Sequence, residues 1–263
     1  MRSERLRLME AYLKENEMCS LRDLCDIFEV AMITIRRDIE ELFRAGTIEK
    51  TYGGVRYVKG NIPATLPYLQ RNIRNVSQKD FIGKLAADIV KPGDSIFVDS
   101  GTTTLNIVKY ITNEPINIAT NSFTVVDACR GRENINVIVL GGQFNRITNS
   151  FADDFSARAF SQYNISKAFL AATGASVEYG FTNSAIAESS IKKEAISKCR
   201  ERYVMIDKDK WDVVSLKTFA NISDVTGVVT DSKPPAKYVD LFRENGTRLI
   251  YTDNSPNVPI KNL

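Results

Sequence analysis

Histidine is absent from all 263 residues. Its absence removes the commonest general base and the commonest metal ligand together, so Ser-His and Cys-His catalysis and most zinc chemistry are excluded. Cysteine is scarce. Cys19, Cys25, Cys129 and Cys199 form no C-x-x-C pair and lie inside apolar patterns, which reads as reduced structural thiols rather than a disulfide or a zinc site. Neither G-x-G-x-x-G nor G-x-x-x-x-G-K-[ST] occurs, so nucleotide-dependent chemistry has no cradle. No run of about 18 apolar residues exists, and the charged opening MRSERLR leads into no signal-like segment. A soluble, cytoplasmic chain is expected, with no membrane partner, no metal and no cofactor. An excess of one charge is missing too. The net charge is +3, and residues 1–60 hold eleven Lys/Arg against eleven Asp/Glu, so a bulk basic field is not what would attract a polyanion.

What is present is a length suited to one large or two smaller domains, and 43% apolar residues to fill a core. The organising stretch is Val30 to Arg44, VAMITIRRDIEELFR. Ile35, Ile39, Leu42 and Phe43 recur at the spacing of one helical face, so that face is expected to be buried. Ile33, Arg37, Glu41 and Arg44 point the other way, with Thr34 and Arg36 on the shoulders. An Arg-Arg pair alone fits a solvated helix face. Beside short apolar and hydroxyl side chains it also fits a helix in a major groove, where Arg bonds guanine O6 and N7 while Thr and Ile meet thymine methyls.

The neighbouring segments favour the groove. Ser20 to Phe28 reads as a short helix with Leu21, Leu24, Ile27 and Phe28 on one side and an S-x-x-D start at Ser20 and Asp23. Only Glu29, Val30 and Ala31 separate it from the next helix, the length of a helix-turn-helix turn. Downstream, Ile48 to Val58 places strand-like residues on both sides of Gly53-Gly54, a hairpin signal. A first helix at about Glu4 to Asn16 presents Leu6, Met9, Tyr12 and Leu13 inward. Helix, helix, recognition helix and wing make a winged helix-turn-helix. Arg36, Arg37, Arg44, Lys50, Arg56 and Lys59 fall on its recognition helix and wing, where phosphate contacts would fix register.

TIRRDIEEL, followed by a glycine turn and TYGGV, resembles the DeoR family of bacterial transcription regulators, whose N-terminal domains carry a VS-x-x-TIRRDL helix and an RxHGGA-like wing. The likeness covers most of residues 3–58. The family's usual Ser at the start of the recognition helix is Ala31 here, so a side-chain cap worth roughly 1 kcal/mol is missing. Met32 and Ile33 stand where the family more often has polar residues, and Ile33 is expected to read a thymine methyl. The double-stranded operator would be contacted by Ser20, Ile33, Thr34, Arg36, Arg37, Arg44, Tyr52, Gly53, Gly54 and Arg56.

From Lys59 to Val76 the pattern is broken by Gly60, Pro63 and Pro67. This reads as a linker, partly packed through Ile62, Leu66, Tyr68 and Leu69. Ser77 with Asp80 is expected to cap the next helix. Beyond it SIFVD, INIAT, INVIVL, AFLAAT, RYVMID, TGVVT and RLIYT alternate with helical stretches, which argues for a mostly parallel sheet covered on both faces. The tail from Asp253 is polar and reads as loose.

Ligands of such sheets collect beyond the carboxyl ends of the strands. After Phe97-Val98-Asp99, the run Ser100-Gly101-Thr102-Thr103-Thr104 opens a helix. It reads as an ordinary capped turn or, with five small or hydroxylic residues in a row, as an anion site built on backbone N–H groups. Asn121, Gly141-Gly142 and Thr173-Gly174 leave other strands in the same way. Asp207-Lys208-Asp209-Lys210 is either solvated charge mixing or the source of a lysine for a phosphate or sugar hydroxyl. Lys192 and Lys193 read as a solvated face.

This half also resembles the DeoR-type effector domain, through Asp99 to Thr104, Thr120-Asn121, Gly141-Gly142, Asp207 to Lys210 and Val228 to Asp231. The resemblance implies a C-terminal α/β sensor like ribose-5-phosphate isomerase. Its effector, a phosphorylated sugar or sugar acid, would meet Asp99, Ser100, Gly101, Thr102, Thr103, Thr104, Asn121, Gly142 and Lys210. The expected layout is a DNA-binding domain at 1–58, a linker at 59–76, an effector domain at 77–252 and a tail at 253–263. The expected function is a repressor of a carbohydrate catabolic operon, acting as a homodimer or homotetramer and not as an enzyme. The competing reading is a sugar-phosphate isomerase with an appended DNA-binding domain, with Asp99 and Lys210 as acid and base. Neither the acidic DGAD-like run nor the lysine- and glycine-rich run of such isomerases is present.

Overall fold

The helical spacing of Met9 and Leu13 is realised in α1 (Arg2–Asn16), and both side chains are buried. The computed structural model describes residues 2–16, 18–44, 48–51, 53–57, 66–252 and 261–262. The chain divides into two compact units, Met1–Ala64 and Thr65–Leu263.

In the first unit α1 is followed by β1 (Met18–Ser20), α2 (Leu21–Phe28), α3 (Met32–Arg44), β2 (Ile48–Thr51) and β3 (Gly54–Tyr57). Ser20 starts α2 as its spacing predicts. Its hydroxyl accepts the Asp23 N–H at 3.1 Å and the Asp23 carboxylate accepts the Ser20 N–H at 3.3 Å, a complete capping box. Glu29, at φ +51°, ends α2 and turns the chain into α3. There the backbone carbonyl of Ala31, a residue with no side-chain oxygen of its own, accepts the N–H groups of Thr34 and Ile35 at 2.8 and 3.2 Å. Leu24, Ile35, Ile39, Leu42, Ile48 and Val55 join Met9 and Leu13 in one core.

Two expectations are corrected here. Phe43 is not inside: it is 44% exposed, with the Lys50 ammonium 4.6 Å from its ring centroid. Asp38 takes an inner place instead, fully buried and paired with Arg5 Nε at 2.6 Å. The wing also has a third strand, because β1 pairs antiparallel with β3 to give the order β1-β3-β2. Gly54 permits that pairing, since a Cβ there would collide with the carbonyl of Cys19. Gly53, at φ +79°, supplies the left-handed residue of the hairpin between Thr51 and Gly54.

The second unit opens with α4 (Tyr68–Asn72), α5 (Val76–Ala87), β4 (Ser95–Val98), a 3-10 turn at Thr104–Asn106 and α6 (Ile107–Tyr110). It continues through β5 (Ile116–Thr120), α7 (Phe123–Ala128), β6 (Ile135–Val139), β7 (Phe144–Asn145), β8 (Ser150–Phe151) and α8 (Asp154–Phe160). Next come β9 (Lys167–Ala171), β10 (Gly174–Ser176), β11 (Gly180–Asn183), α9 (Ile186–Lys198), β12 (Glu201–Met205) and β13 (Lys217–Ala220). The last elements are β14 (Gly227–Val229), α10 (Ala236–Glu244), β15 (Arg248–Tyr251) and β16 (Lys261–Asn262).

Seven strands form one parallel sheet in the order β6-β5-β4-β9-β12-β14-β15, with β16 added antiparallel at the β15 edge. Both faces are covered because alternate residues go to opposite cores. Phe97, Leu170, Val204 and Val228 meet Phe160, Ile191 and Tyr238 of α8, α9 and α10. Val98, Phe169, Met205 and Val229 meet Ile82, Ile107 and Val125 of α5, α6 and α7. A separate antiparallel sheet, β10-β11-β13, lies against α9. The chain first builds outward from β4 to β6 and then resumes on the other side of β4 at β9. The topological switch point therefore lies between β4 and β9, where the crevice of an open α/β sheet forms.

Several sequence expectations change. Helix α5 begins at Val76 rather than behind a Ser77 cap, after Asn75 in a left-handed conformation of φ +51°. Tyr68 is buried as expected, but Leu69 is 77% exposed. Lys261 and Asn262 of the tail pair with Tyr251 and Ile250. The expectations for Lys59, Gly60, Ile62 and Pro63 of the linker, for Tyr52 and for tail residues 253–260 lie outside the described residues.

Candidate functional site

Helix α3 presents a polar face with one apolar side chain on it. Ile33 is 62% exposed, Arg36 and Arg37 are exposed and Thr34 is half-buried, while Ile35 and Ile39 anchor the opposite face. Arg44 closes the helix. On the wing Arg56 and Gly53 are exposed and Gly54 is half-buried. Ser20 lies at the start of α2 with its hydroxyl oxygen engaged in the cap, which leaves its proton as a donor.

In the second unit the run after β4 is enclosed. Asp99 and Thr104 are fully buried, and Ser100, Thr102 and Thr103 nearly so. The Thr104 hydroxyl lies 2.7 Å from the Asp99 carbonyl and 2.8 Å from that of Gly101, which folds the loop back on itself. Gly101 is required by packing, since a Cβ would overlap the Ala171 side chain of β9. Among the described residues the backbone N–H groups of Gly101, Thr102 and Thr103 meet no protein acceptor, the condition for an anion cradle.

The Asp99 carboxylate is half committed. Its Oδ2 accepts the Ala171 N–H at 3.1 Å and the ammonium of Lys192, while its Oδ1 has no protein partner. Lys192 is itself 1% exposed and also donates to the Ala171 carbonyl at 2.7 Å. The expectation of a solvated Lys192-Lys193 face is therefore corrected: Lys193 is exposed, but Lys192 is a buried counter-charge. Glu188, one helical turn earlier, has a protein partner on each of its oxygens. It accepts Ser100 Oγ at 2.9 Å, Ser150 Oγ at 3.0 Å and Asn183 Nδ2 at 3.2 Å. Because Ser150 gives its proton to Glu188, the 2.8 Å bond between Thr148 and Ser150 must be donated by Thr148. Glu188, Lys192, Ser150 and Asn183 were missed by sequence reasoning. The signal was that Glu188 and Lys192 fall on the same stripe as Ile191, Ala195 and Cys199.

Asn121 leaves β5 beside this loop. It is fully buried, donates Nδ2 to the Phe151 carbonyl at 3.2 Å, and its Oδ1 has no protein partner. Gly142 is exposed. Its φ of +102° brings the backbone against Asp153 and Ser156, where the Asp153 carboxylate caps α8, so the structure gives this glycine a packing role.

Lys210 belongs to a second cluster, on the α5 side of the sheet. The Asn75 amide donates to Asp207 Oδ1 at 3.2 Å and to Asp209 Oδ2 at 2.9 Å. Lys79 is 6% exposed and donates to the Arg71 carbonyl. Burial pushes its ammonium down to about 8, opposed by Asp207 and assisted by Lys210, Arg71 and Arg74. Asp231 is raised, chiefly by burial. Among the described residues no group of His, Cys, Asp and Glu is arranged to hold a metal ion, and no helix is long and apolar enough to cross a membrane.

A winged helix-turn-helix unit followed by an α/β body with an enclosed polar loop is the arrangement of a DNA-binding regulator with a sensor domain. Residues 5–61 match the DeoR-like helix-turn-helix domain and residues 74–232 match the DeoR C terminal sensor domain. The chain is 35% identical to the HTH-type transcriptional regulator IolR of Bacillus subtilis, over 93% of this chain and 97% of the relative. It is 26% identical to the transcriptional repressor GlcR of the same organism, over 95% and 96%. With a lactose phosphotransferase system repressor of Staphylococcus epidermidis it shares 28%, over 86% and 91%. Among solved structures, ribose 5-phosphate isomerase A of Methanocaldococcus jannaschii aligns at 17% identity and a TM-score of 0.39, over 52% of this chain and 55% of that one. The chain belongs to the DeoR family of transcription regulators. It is a DNA-binding regulator and not an enzyme, and the competing isomerase reading falls with that assignment.

Proposed function

We propose that the chain represses a carbohydrate catabolic operon and releases its operator when a phosphorylated sugar or sugar acid occupies the crevice at the β4–β9 switch point. The observation that carries this reading is the buried, half-committed Asp99 beside the uncommitted N–H groups of Gly101, Thr102 and Thr103. Buried polar groups without a partner are costly, and a ligand that supplies one recovers that cost. The phosphate would take the loop N–H groups and the sugar would take Asp99 and Asn121, with Ser100 and Thr104 fixing the loop. Lys210, with Lys79, would add positive charge from the α5 side.

On the DNA, Arg36 and Arg37 would bond guanine edges, Ile33 and Thr34 would meet thymine methyls, and Ser20, Arg44, Tyr52, Gly53, Gly54 and Arg56 would hold the backbone. Two reading heads of an oligomer would engage two half-sites, and the effector would shift the population toward a form that cannot span both. Similarity to the repressor GlcR and to the lactose phosphotransferase system repressor supports the sign of control. The test is operator binding by purified full-length protein against a panel of pentose, hexose and sugar-acid phosphates. Release by one compound, without turnover, is the expected result.

A further inference from the structure

Asp99 Oδ1 and Asn121 Oδ1 are each left without a protein partner, and both residues are fully buried. Their placement follows from register. Val98 of β4 pairs with Thr120 of β5, so the next residues, Asp99 and Asn121, leave neighbouring strands side by side, about 4.8 Å apart by strand spacing. They share a face as well. Phe97 and Ala119, two residues earlier on each strand, lie in the same core on the α8–α10 side, and the period of two carries Asp99 and Asn121 to that side. Each residue is held by its other atom: Asp99 by Lys192 and the Ala171 N–H, Asn121 by the Phe151 carbonyl. The free oxygens are thus fixed acceptors. Neither can turn away without breaking a buried bond.

We propose that Asp99 and Asn121 form a diol reader: a rigid pair of acceptors that takes two neighbouring hydroxyl groups of the effector, so that the site selects a polyhydroxylated ligand and not an anion alone. The pair is suited to this by chemistry. An ionised carboxylate accepts only, and Asn121 has one of its two amide N–H groups on the Phe151 carbonyl with its oxygen free, so both oxygens call for O–H or N–H groups from the ligand. Bare phosphate, which offers mainly acceptors at neutral pH, gains little from either oxygen. Glu188 differs from the pair, since both of its oxygens already have protein partners in Ser100, Ser150 and Asn183. A site built to bond a substrate hydroxyl discriminates strongly against the analogue that lacks it, because its own buried groups stay unpaired. This inference rests on the crevice being the effector site, and it adds which part of the effector is read there and by which atoms.

The experiment is a thermal-shift and calorimetric comparison on the full chain. The probes are inorganic phosphate, free ribitol, and pentose and hexose phosphates including ribose 5-phosphate, glucose 6-phosphate and their 2-deoxy counterparts. The tightest sugar phosphate is expected to bind at least tenfold more tightly than inorganic phosphate. Loss of either of two adjacent hydroxyls is expected to weaken it about tenfold or more, and loss of the others much less. In Asn121→Ala that hydroxyl preference collapses while binding of inorganic phosphate is unchanged, a pattern that a general loss of stability would not give. Should Asn121→Ala fail to fold, the deoxy series on the natural protein decides the matter alone. If all phosphates bind alike, the anion site stands and the diol reader is overturned. If free ribitol binds and no phosphate adds to it, the diol reader stands and the phosphate assignment falls. If nothing in the series binds, both are overturned.

Discussion

Lys192 on α9 and Asp99 at the end of β4 form an ion pair sealed from solvent, the lysine 1% and the aspartate 0% exposed. The pair joins the helix layer to the switch point of the sheet. Removing one partner leaves a buried charge alone, so Lys192→Ala should lower stability by about 3–5 kcal/mol. Urea denaturation measures this. Combining Lys192→Met with Asp99→Asn should recover most of the loss, since Asn can still accept the Ala171 N–H.

Lys79 gives a pH dependence of definite sign. Its ammonium is lowered by burial to about 8 from an ordinary 10.5, with Asp207 opposing and Lys210, Arg71 and Arg74 adding to the shift. Below pH 8 the group is charged in both states and burial strains the fold. Between about 8 and 10.5 the unfolded chain holds the proton that the folded chain has released, so this group's contribution to stability rises with pH. The difference in urea midpoint between the natural chain and Lys79→Met should therefore shift in favour of the natural chain from pH 7.5 to 9.5. A flat difference would show that the Lys79 ammonium is not strained.

The thiols should report their burial. Burial pushes Cys129 up to about 11 and Cys199 up to about 12, and Cys19 is raised as well, while Cys25 is half-buried. Only thiolates react quickly. Alkylation at pH 8 should label Cys25 first, and all four at comparable rates only after unfolding.

The sequence made the architecture legible where apolar pattern was strong. SIFV, INIAT, INVIV, KAFLA, ERYVM, GVV and RLIY are the seven parallel strands, and all but the edge strand INVIV have residues buried on both faces. MCS, GAS and GFTN were not legible, because runs of three or four residues with no apolar alternation become strands only when tertiary pairing supplies the partner. Side-chain charge misled in the same way. Lys192 reads as surface until Asp99 is brought against it from 93 residues away, and Phe43 reads as core until the wing offers it Lys50 instead. The loop from Asp99 to Thr104 was visible as composition, but the half-satisfied state of Asp99 and Asn121 is a product of the fold alone.

On DNA, Arg36→Ala and Arg37→Ala should each weaken operator binding by about 1–3 kcal/mol if the side chain bonds a guanine edge. A change that instead lowers the salt slope by about one marks a phosphate contact. Both side chains are exposed, so thermal stability should stay within about 0.5 kcal/mol. Ile33, 62% exposed on the same face, should lose discrimination for thymine when replaced by Asn, read by competition with uracil-substituted operator.

The proposed gating of operator binding by the loop from Asp99 to Thr104 is tested most directly at Thr103. Its φ of −80° lies within the range of proline, so Thr103→Pro removes one uncommitted N–H from the loop with the local backbone angle retained. Fluorescence anisotropy of labelled operator is measured for the natural chain and this variant, with and without the sugar phosphate that binds best. The account predicts that the compound raises the operator Kd at least tenfold for the natural chain, while Thr103→Pro binds operator equally well and fails to release it. Full release by Thr103→Pro, or no release of the natural chain by any compound, would contradict it.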